Sequence, residues 1–440
     1  MPVLSEGRNL VKRNISVNYI IILGFITGII IRILMLFYKG TFDMDAYFIW
    51  GNRTLSLGLN DAYTTSIKSY FPLQHQLFSI ASYWVHLLKI DYWVVYKAFN
   101  LIFDIGTFVL LYNILSKLKI NPTLTLFYWL HPWFLIIYSL GYIDSQFAFL
   151  VLLSILILLS INKNVLTGFI IAGIPIGFAF LLKPQVQALI LIIGLLSVFY
   201  YRITKKFETF GLLAFSCFLF VVYTIYFFIY SNPVYFLAQT YLATSNIMPC
   251  INAQMLNIWY PIAYIMRPNN FTPIYRVSDQ ITILSFISIK FIAVLITIGS
   301  MLIFTNAISK QMKEKYFNSI FILLFGFSFF ALPFLMTSAH ENHFFMASIL
   351  LLIISFKVKD LLFKISVQTT LILQFLNISL LYSEDFLFGS LRNLFIRNMA
   401  EIGLVLTLIS LPFLIYIFLY FYTLAKNNPF LQDLNEKKAP

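Results

Sequence analysis

Charge is what this chain has least of. Only 11% of its 440 residues are Asp, Glu, Lys or Arg, against about 25% in a soluble domain. With 60% of the residues hydrophobic, no soluble fold could hide the apolar surface, so a water-soluble protein is excluded. Acids are scarcer still, 17 against 30 bases. The resulting charge of +13 does not point to a nucleic acid, because most basic residues flank apolar runs, where they set membrane orientation. There are two cysteines, Cys217 in an apolar run and Cys250 in a loop, which give neither a disulfide framework nor metal-type spacing. No Gly-rich phosphate loop, dinucleotide fingerprint or Ser-His-Asp order is present, and there is no Gly/Ser linker or internal repeat. A nucleotide site of the soluble kind is therefore absent.

What fills the chain is a series of about twelve apolar stretches, each roughly long enough to cross a bilayer. They run over 17–38, 92–116, 121–139, 145–161, 165–182, 186–201, 209–231, 281–305, 317–336, 344–357, 361–381 and 399–424. The fold class expected is an all-α polytopic membrane protein, a bundle of about 12 transmembrane helices forming one domain over 1–440. One set of loops is short and basic, with Arg8, Lys12, Arg13, Lys117, Lys119, Lys205 and Lys206. The positive-inside rule makes these cytoplasmic, together with the N-terminus (1–16) and the tail (425–440). The long loops 39–91 and 232–280, and a third segment 382–398 with Arg392 and Arg397, then lie outside. Within 39–91, an aromatic stretch around Tyr47 to Trp50 and an apolar one from Leu73 to Leu88 read as helices lying in the interface.

Polar chemistry collects in the outer loops. Asp43 and Asp45 directly follow the first apolar stretch, where a carboxylate can deprotonate a hydroxyl, bind a cation or simply end a span in water. Tyr47 and Trp50 share a helical face with Asp43. Lys97, Asn100 and Asp104 share another face inside a span, a spacing that suits a structural pair or a phosphate contact at Lys97 supported by Asp104. Asp144 begins a span after the turn Gly141-Tyr142-Ile143, as a helix cap or a polar contact. Lys183-Pro184-Gln185 closes another span, with Lys183 a snorkelling lysine or a cation for a lipid phosphate. Asn252, Gln254, Asn257 and Trp259 place amides beside an indole, a pairing that suits a sugar. His340-Glu341-Asn342-His343 is the densest cluster. Its His spacing of i, i+3 departs from the i, i+4 of zinc proteases, so no metal is assigned.

Taken in order, these residues resemble the GT-C-fold membrane glycosyltransferases, in particular their GPI-mannosyltransferase-like branch. The resemblance covers about residues 17–380. It rests on Asp43 with Tyr47 and Trp50; Tyr70-Phe71-Pro72 for a Tyr-Pro-Pro element; Lys97 with Asp104; Gly141-Tyr142-Ile143-Asp144 for Gly-Gln-x-Asp; Lys183-Pro184-Gln185 intact; Asn252-Ala253-Gln254 with Asn257 and Trp259; and His340-Glu341-Asn342-His343 for His-Glu-Arg-Tyr. Phe71, Tyr142 and Asn342 depart from the pattern, and Asn342 removes an Arg that would contact phosphate or sugar.

The resemblance implies a GT-C-like bundle and inverting transfer of a hexose, most often mannose, from a polyprenyl-phosphate donor to a lipid-linked or protein-linked glycan on the extracytoplasmic face. Asp43 would be the general base, with Asp45 in reserve. Lys97, Asp104, Asp144, Lys183, Gln185, Arg267, Arg276, His340, Glu341 and His343 would bind donor phosphate and sugar. Tyr47, Trp50, Tyr70, Asn252, Asn257 and Trp259 would line the acceptor. No cofactor is implied and no metal is required; the partners are the lipid-linked sugar, the glycan acceptor and membrane lipids.

Two other classes share some of these features. A flippase or transporter of lipid-linked sugars would place charges midway through several helices; the intramembrane charges of this chain, Arg32, Lys97, Asp104, Lys290 and Glu401, are few and mostly near the outer edge. A metal-dependent oligosaccharyl transferase or glycan polymerase would put the metal at Asp43 and Asp45. Richness in Ile, Phe and Tyr suits a prokaryotic cell membrane. Lys437-Lys438 also matches a retrieval signal to the endoplasmic reticulum, which would make the polar face lumenal.

Overall fold

A backbone inside a bilayer must satisfy its own N–H and C=O groups, which leaves apolar runs little choice but helix. The computed structural model describes residues 3–65, 70–161, 165–230, 249–270, 272–283, 286–313, 319–382 and 398–427. Sixteen α-helices lie among them. They are α1 (Val3–Met35), α2 (Asp43–Thr65), α3 (Pro72–Leu88), α4 (Tyr92–Lys117), α5 (Thr125–Leu130), α6 (Pro132–Leu140), α7 (Asp144–Leu158), α8 (Val165–Phe180), α9 (Val186–Thr204), α10 (Glu208–Tyr230), α11 (Tyr260–Ile265), α12 (Ile289–Ser309), α13 (Ile320–Leu335), α14 (Phe345–Lys357), α15 (Leu361–Leu381) and α16 (Met399–Lys426). Arg392, Arg397, Lys437 and Lys438 fall outside the described residues.

The protein is an all-α polytopic membrane protein. Six helices are long and apolar enough to cross a bilayer unaided: α4, α9, α10, α12, α15 and α16. A seventh span forms if α5 and α6, bent by 50° with the 3-10 turn before them, count as one. Each of the remaining expected stretches holds a helix, but a shorter one. Tyr19–Met35, α7, α8 and α13 belong to the 10–17 residue class. Length and composition thus show six or seven spans among the described residues. The stretch 121–139 is broken at Pro132, which has no N–H to donate and clashes with the preceding turn. The stretch from 281 begins late because Thr282–Ile283 and Ile287–Ser288 form a small antiparallel ribbon, β1 and β2, ahead of α12.

The two helices expected in the loop 39–91 are present as α2 and α3, packed on one another. Gly58 breaks α2 with a left-handed φ of 80°, and Pro72 starts α3 at a position that needs no N–H.

The core is centred on α13, where every residue except Leu332 is buried. A helix that is apolar all round belongs in the middle of a bundle. Its phenylalanines stack with those of neighbouring helices; Phe327 lies 4.0 Å, centroid to centroid, from Phe304 of α12. On one flank α8 packs closely on α10 through Gly173 and Gly177, an intramolecular small-xxx-small seam. A Cβ at Gly173 would sit 2.7 Å from the Leu212 carbonyl oxygen and 2.9 Å from Phe215 Cβ. Backbone cannot yield as a flexible side chain can. Gly173→Ala is thus expected to destabilise by about 1–3 kcal/mol, the range for overpacking. Thermal unfolding in detergent checks this; an unchanged midpoint would mean the two helices separate freely.

Candidate functional site at one end of the bundle

The site is assembled around a turn. Helix α6 ends at Gly141, whose φ of 79° is left-handed, a conformation that suits glycine. A Cβ there would lie 2.7 Å from Met44 Cε, at the start of α2. The N–H of Thr41 donates to the Leu140 carbonyl at 3.2 Å. The segment bearing Asp43 is thereby fixed to the turn that leads into Asp144.

Lys97 holds the same junction from below. Its ammonium is fully buried and donates to the carbonyls of Tyr38, Ser139 and Met35. Carbonyls near helix ends lack intrahelical partners and favour a cation. All three donors of the lysine are thus engaged by backbone, which corrects the expectation of a phosphate contact here. Asp104 does not support Lys97 either. It pairs with Arg32 of α1 and accepts from Tyr128 of α5.

Two buried polar groups then meet across the bundle. Asp144, in the first turn of α7 and not at its cap position, accepts from Lys183 Nζ at 2.6 Å and from Asn342 Nδ2 at 3.1 Å. Glu341, in the 3-10 turn Glu341–Phe344, accepts from the hydroxyls of Tyr142 at 2.7 Å and Tyr382 at 2.9 Å. The backbone N–H of His340 donates to His343 Nδ1 at 3.2 Å. Burial pushes both imidazoles down; at His340 the Glu341 charge opposes this, and Lys183 adds to the lowering at both. Among the described residues no three His, Cys, Asp or Glu side chains gather as metal ligands.

Asp43 and Asp45, two residues apart, have different surroundings. Asp45 is exposed and pairs with Lys39 at 2.7 Å. Asp43 is half-buried. Burial raises its pKa to about 6, and the Glu341 charge adds to the rise. A carboxylate near neutrality is suited to take a proton at physiological pH. Asp43, the first candidate for base, thus has a raised pKa, while Asp45, held in reserve, is tied up in an exposed ion pair.

Beside Asp43 lies an aromatic group. Tyr47 is buried, stacked 4.4 Å from Phe78 of α3, with its hydroxyl 3.0 Å from that of Tyr70. That is core packing, and it removes Tyr47 from the surfaces open to a sugar. Trp50 and Tyr70 are only half-buried, at the edge of the same aromatic group, where their rings lie 5.8 Å apart.

The loop after residue 249 engages the amide N–H groups of Asn252 and Asn257 within the protein. Asn252 donates to the Met255 carbonyl and to Asn257 Oδ1. Asn257 donates to the Pro333 carbonyl at 2.9 Å, and Trp259 Nε1 donates to that of Leu335 at 2.6 Å. These carbonyls belong to the last turn of α13, which has no helical partners for them. Asn252, Asn257 and Trp259 are thus a helix clamp, which corrects their reading as sugar contacts. Arg267 is also occupied, by Glu401 at 3.2 Å and the ring of Tyr264 at 4.0 Å. Arg276 is exposed, and Gln185 is buried with no hydrogen-bond partner for Nε2 among the described residues.

Asp43, Tyr70, Asp144, Lys183 and Glu341 are brought together, and His340 and His343 adjoin them. Tyr142, Asn342 and Tyr382 belong with them but were not assigned roles from sequence. Tyr382 follows an apolar span directly and reads as an interfacial aromatic. Tyr142 and Asn342 stood as departures from a motif, yet each donates to a buried carboxylate. Comparison with protein-family models and with curated proteins finds no match for the chain.

Proposed function

We propose that the chain is an inverting glycosyltransferase that moves a hexose, mannose foremost, from a polyprenyl-phosphate donor to a glycan acceptor at the bilayer surface. The observation that carries this reading is the meeting of Asp43, Asp144–Lys183–Asn342 and Glu341–Tyr142–Tyr382, drawn from separate parts of the chain to one end of a membrane bundle. Asp43 takes the proton of the acceptor hydroxyl. That oxygen attacks the anomeric carbon while the bond from this carbon to the phosphate oxygen breaks, and the lipid phosphate leaves with the bonding pair. Lys183 contributes positive charge at the cluster, and Trp50 and Tyr70 offer faces for a sugar ring. On the positive-inside reading this end is extracytoplasmic, in a GT-C-like bundle of a prokaryotic cell membrane, or lumenal in the endoplasmic reticulum.

The test is sugar transfer by purified protein in proteoliposomes. Radiolabelled polyprenyl-phosphate mannose is supplied with a total lipid-linked glycan extract, with and without EDTA. Label is expected in a larger glycan, at the same rate in both. No transfer from mannosyl or glucosyl donors overturns the transferase reading, and movement of intact donor between leaflets instead would favour a flippase. Loss of activity in EDTA would move the site to the metal-dependent class.

A further inference from the structure

Asp279 lies in no motif singled out by the sequence, yet its side chain is fully buried. Its carboxylate accepts from Thr337 Oγ1 at 3.0 Å, Ser338 Oγ at 3.2 Å and Gln280 Nε2 at 3.0 Å. Among the described residues no Lys, Arg or His ion pair reaches it. A carboxylate buried without a cation depends on such donors. Thr337 and Ser338 lie on the short connection between the end of α13 and His340.

The backbone around them is laid out as three adjacent segments. The Ile251 N–H donates to the Val277 carbonyl at 2.7 Å, the Asp279 N–H to that of Pro249 at 3.1 Å, and the Ser338 N–H to that of Cys250 at 3.0 Å. Residues around 250 thus lie between 277–279 and 338–340, and bridges join Ala253 and Gln254 to His340. The Asp279 side chain spans this middle segment to reach the hydroxyls beyond it. Ser338 has a φ of 57°, which a residue with a Cβ holds only when its surroundings fix it. Its hydroxyl sits between the Cys250 carbonyl, at 3.0 Å, and Asp279.

We propose that Asp279 is a positioning residue for the site: by accepting from Thr337 and Ser338 it holds the left-handed turn that delivers His340 and Glu341 to Asp43. This rests on the transferase reading for its catalytic consequence, though not for its structural one. What the turn requires is an acceptor, not a charge. In Asp279→Asn the amide oxygen can keep both hydroxyls, and its NH2 finds an acceptor once the Gln280 amide turns over to offer Oε1 in place of Nε2; Asp279→Ala leaves both hydroxyls without that acceptor.

The experiment is hydrogen–deuterium exchange by mass spectrometry on the full-length protein, together with transfer kinetics. The variants are Asp279→Ala, Asp279→Asn and the pair Thr337→Val with Ser338→Ala. Asp279→Ala and the hydroxyl pair are expected to speed exchange over residues 336–344 by about tenfold, as loss of a buried hydrogen bond would. kcat should fall by about tenfold with little change in donor KM, and Asp279→Asn should behave as wild type in both assays. In Asp279→Ala the acid limb of the pH–rate profile should also move down, as Glu341 withdraws from Asp43. Unchanged exchange in both damaging variants, or an Asn variant as impaired as the Ala one, overturns the proposal. If Asp279→Ala fails to fold, the hydroxyl pair decides the matter. If the wild type transfers no sugar, the transferase reading falls, while the exchange data still judge Asp279.

Discussion

Asp43→Asn is expected to slow sugar transfer by roughly 10²–10⁴-fold, the range for removing a positioned general base, with the unfolding midpoint little changed. The amide keeps the shape, but it cannot accept the acceptor's proton. Asp45→Asn, changed on an exposed ion pair, should stay close to wild type, since such pairs contribute about 0–1 kcal/mol. The pH dependence follows from the shift at Asp43. The base must be ionised, so kcat/KM falls as pH drops through about 6; an unshifted carboxylate would keep working to near 3.8. Glu341→Gln removes one cause of the rise and leaves burial, the larger one, in place. Its acid limb should therefore move only part of the way down. A limb near 6 that persists in a partly active Asp43→Asn would assign that titration to another group.

The contrast between Asp43 and Asp45 also shows how far the sequence was legible. Both follow the first apolar stretch, and only the helical face that Asp43 shares with Tyr47 and Trp50 distinguishes them locally. The difference comes from Lys39, which takes Asp45, and from Glu341, remote in sequence, which faces Asp43. Periodicity did mark the buried face of α4. Lys97, Asn100 and Asp104 are each at most 2% exposed. Their partners were not legible, because a carbonyl at a helix end leaves no mark in the side-chain pattern. Lys97 goes to such carbonyls and Asn100 Nδ2 to that of Tyr142 at 3.1 Å.

The run from Asn252 to Trp259 failed for the same reason. Amides and an indole N–H serve a sugar's hydroxyls and a helix's orphaned carbonyls equally well, and the end of α13 lies closer to hand. Proline cuts one continuous apolar run at Pro132, and a small ribbon delays the start of another ahead of α12. Hydropathy averages over such breaks; hydrogen-bond geometry does not.

Arg32→Met is expected to destabilise the protein by about 3–5 kcal/mol, the range for removing one partner of a buried ion pair. Arg32 is fully buried. It pairs with Asp104, lies 3.6 Å over the Trp129 ring, and donates through Nη1 to the carbonyls of Trp129 at 2.8 Å and Gly28 at 3.3 Å. The Trp129 carbonyl needs this donor because the chain breaks at Pro132. In an unbroken helix it would accept from Trp133, whose N–H instead goes to His131 Nδ1 at 3.2 Å. One guanidinium therefore completes the break between α5 and α6 and neutralises Asp104, which Tyr128 also holds. With Met in its place, the carboxylate stays in an apolar interior with a single hydroxyl donor. Arg32→Met combined with Asp104→Leu removes the stranded charge and should recover most of the loss, leaving the unpaired carbonyl and the changed packing. The double-mutant cycle, read by denaturant or thermal unfolding in detergent, measures this directly. Additive losses would mean the two side chains act independently. Recovery would make the pair a strut between α1, α4 and the broken span, and would account for two of the intramembrane charges that a transporter reading needs to be mobile.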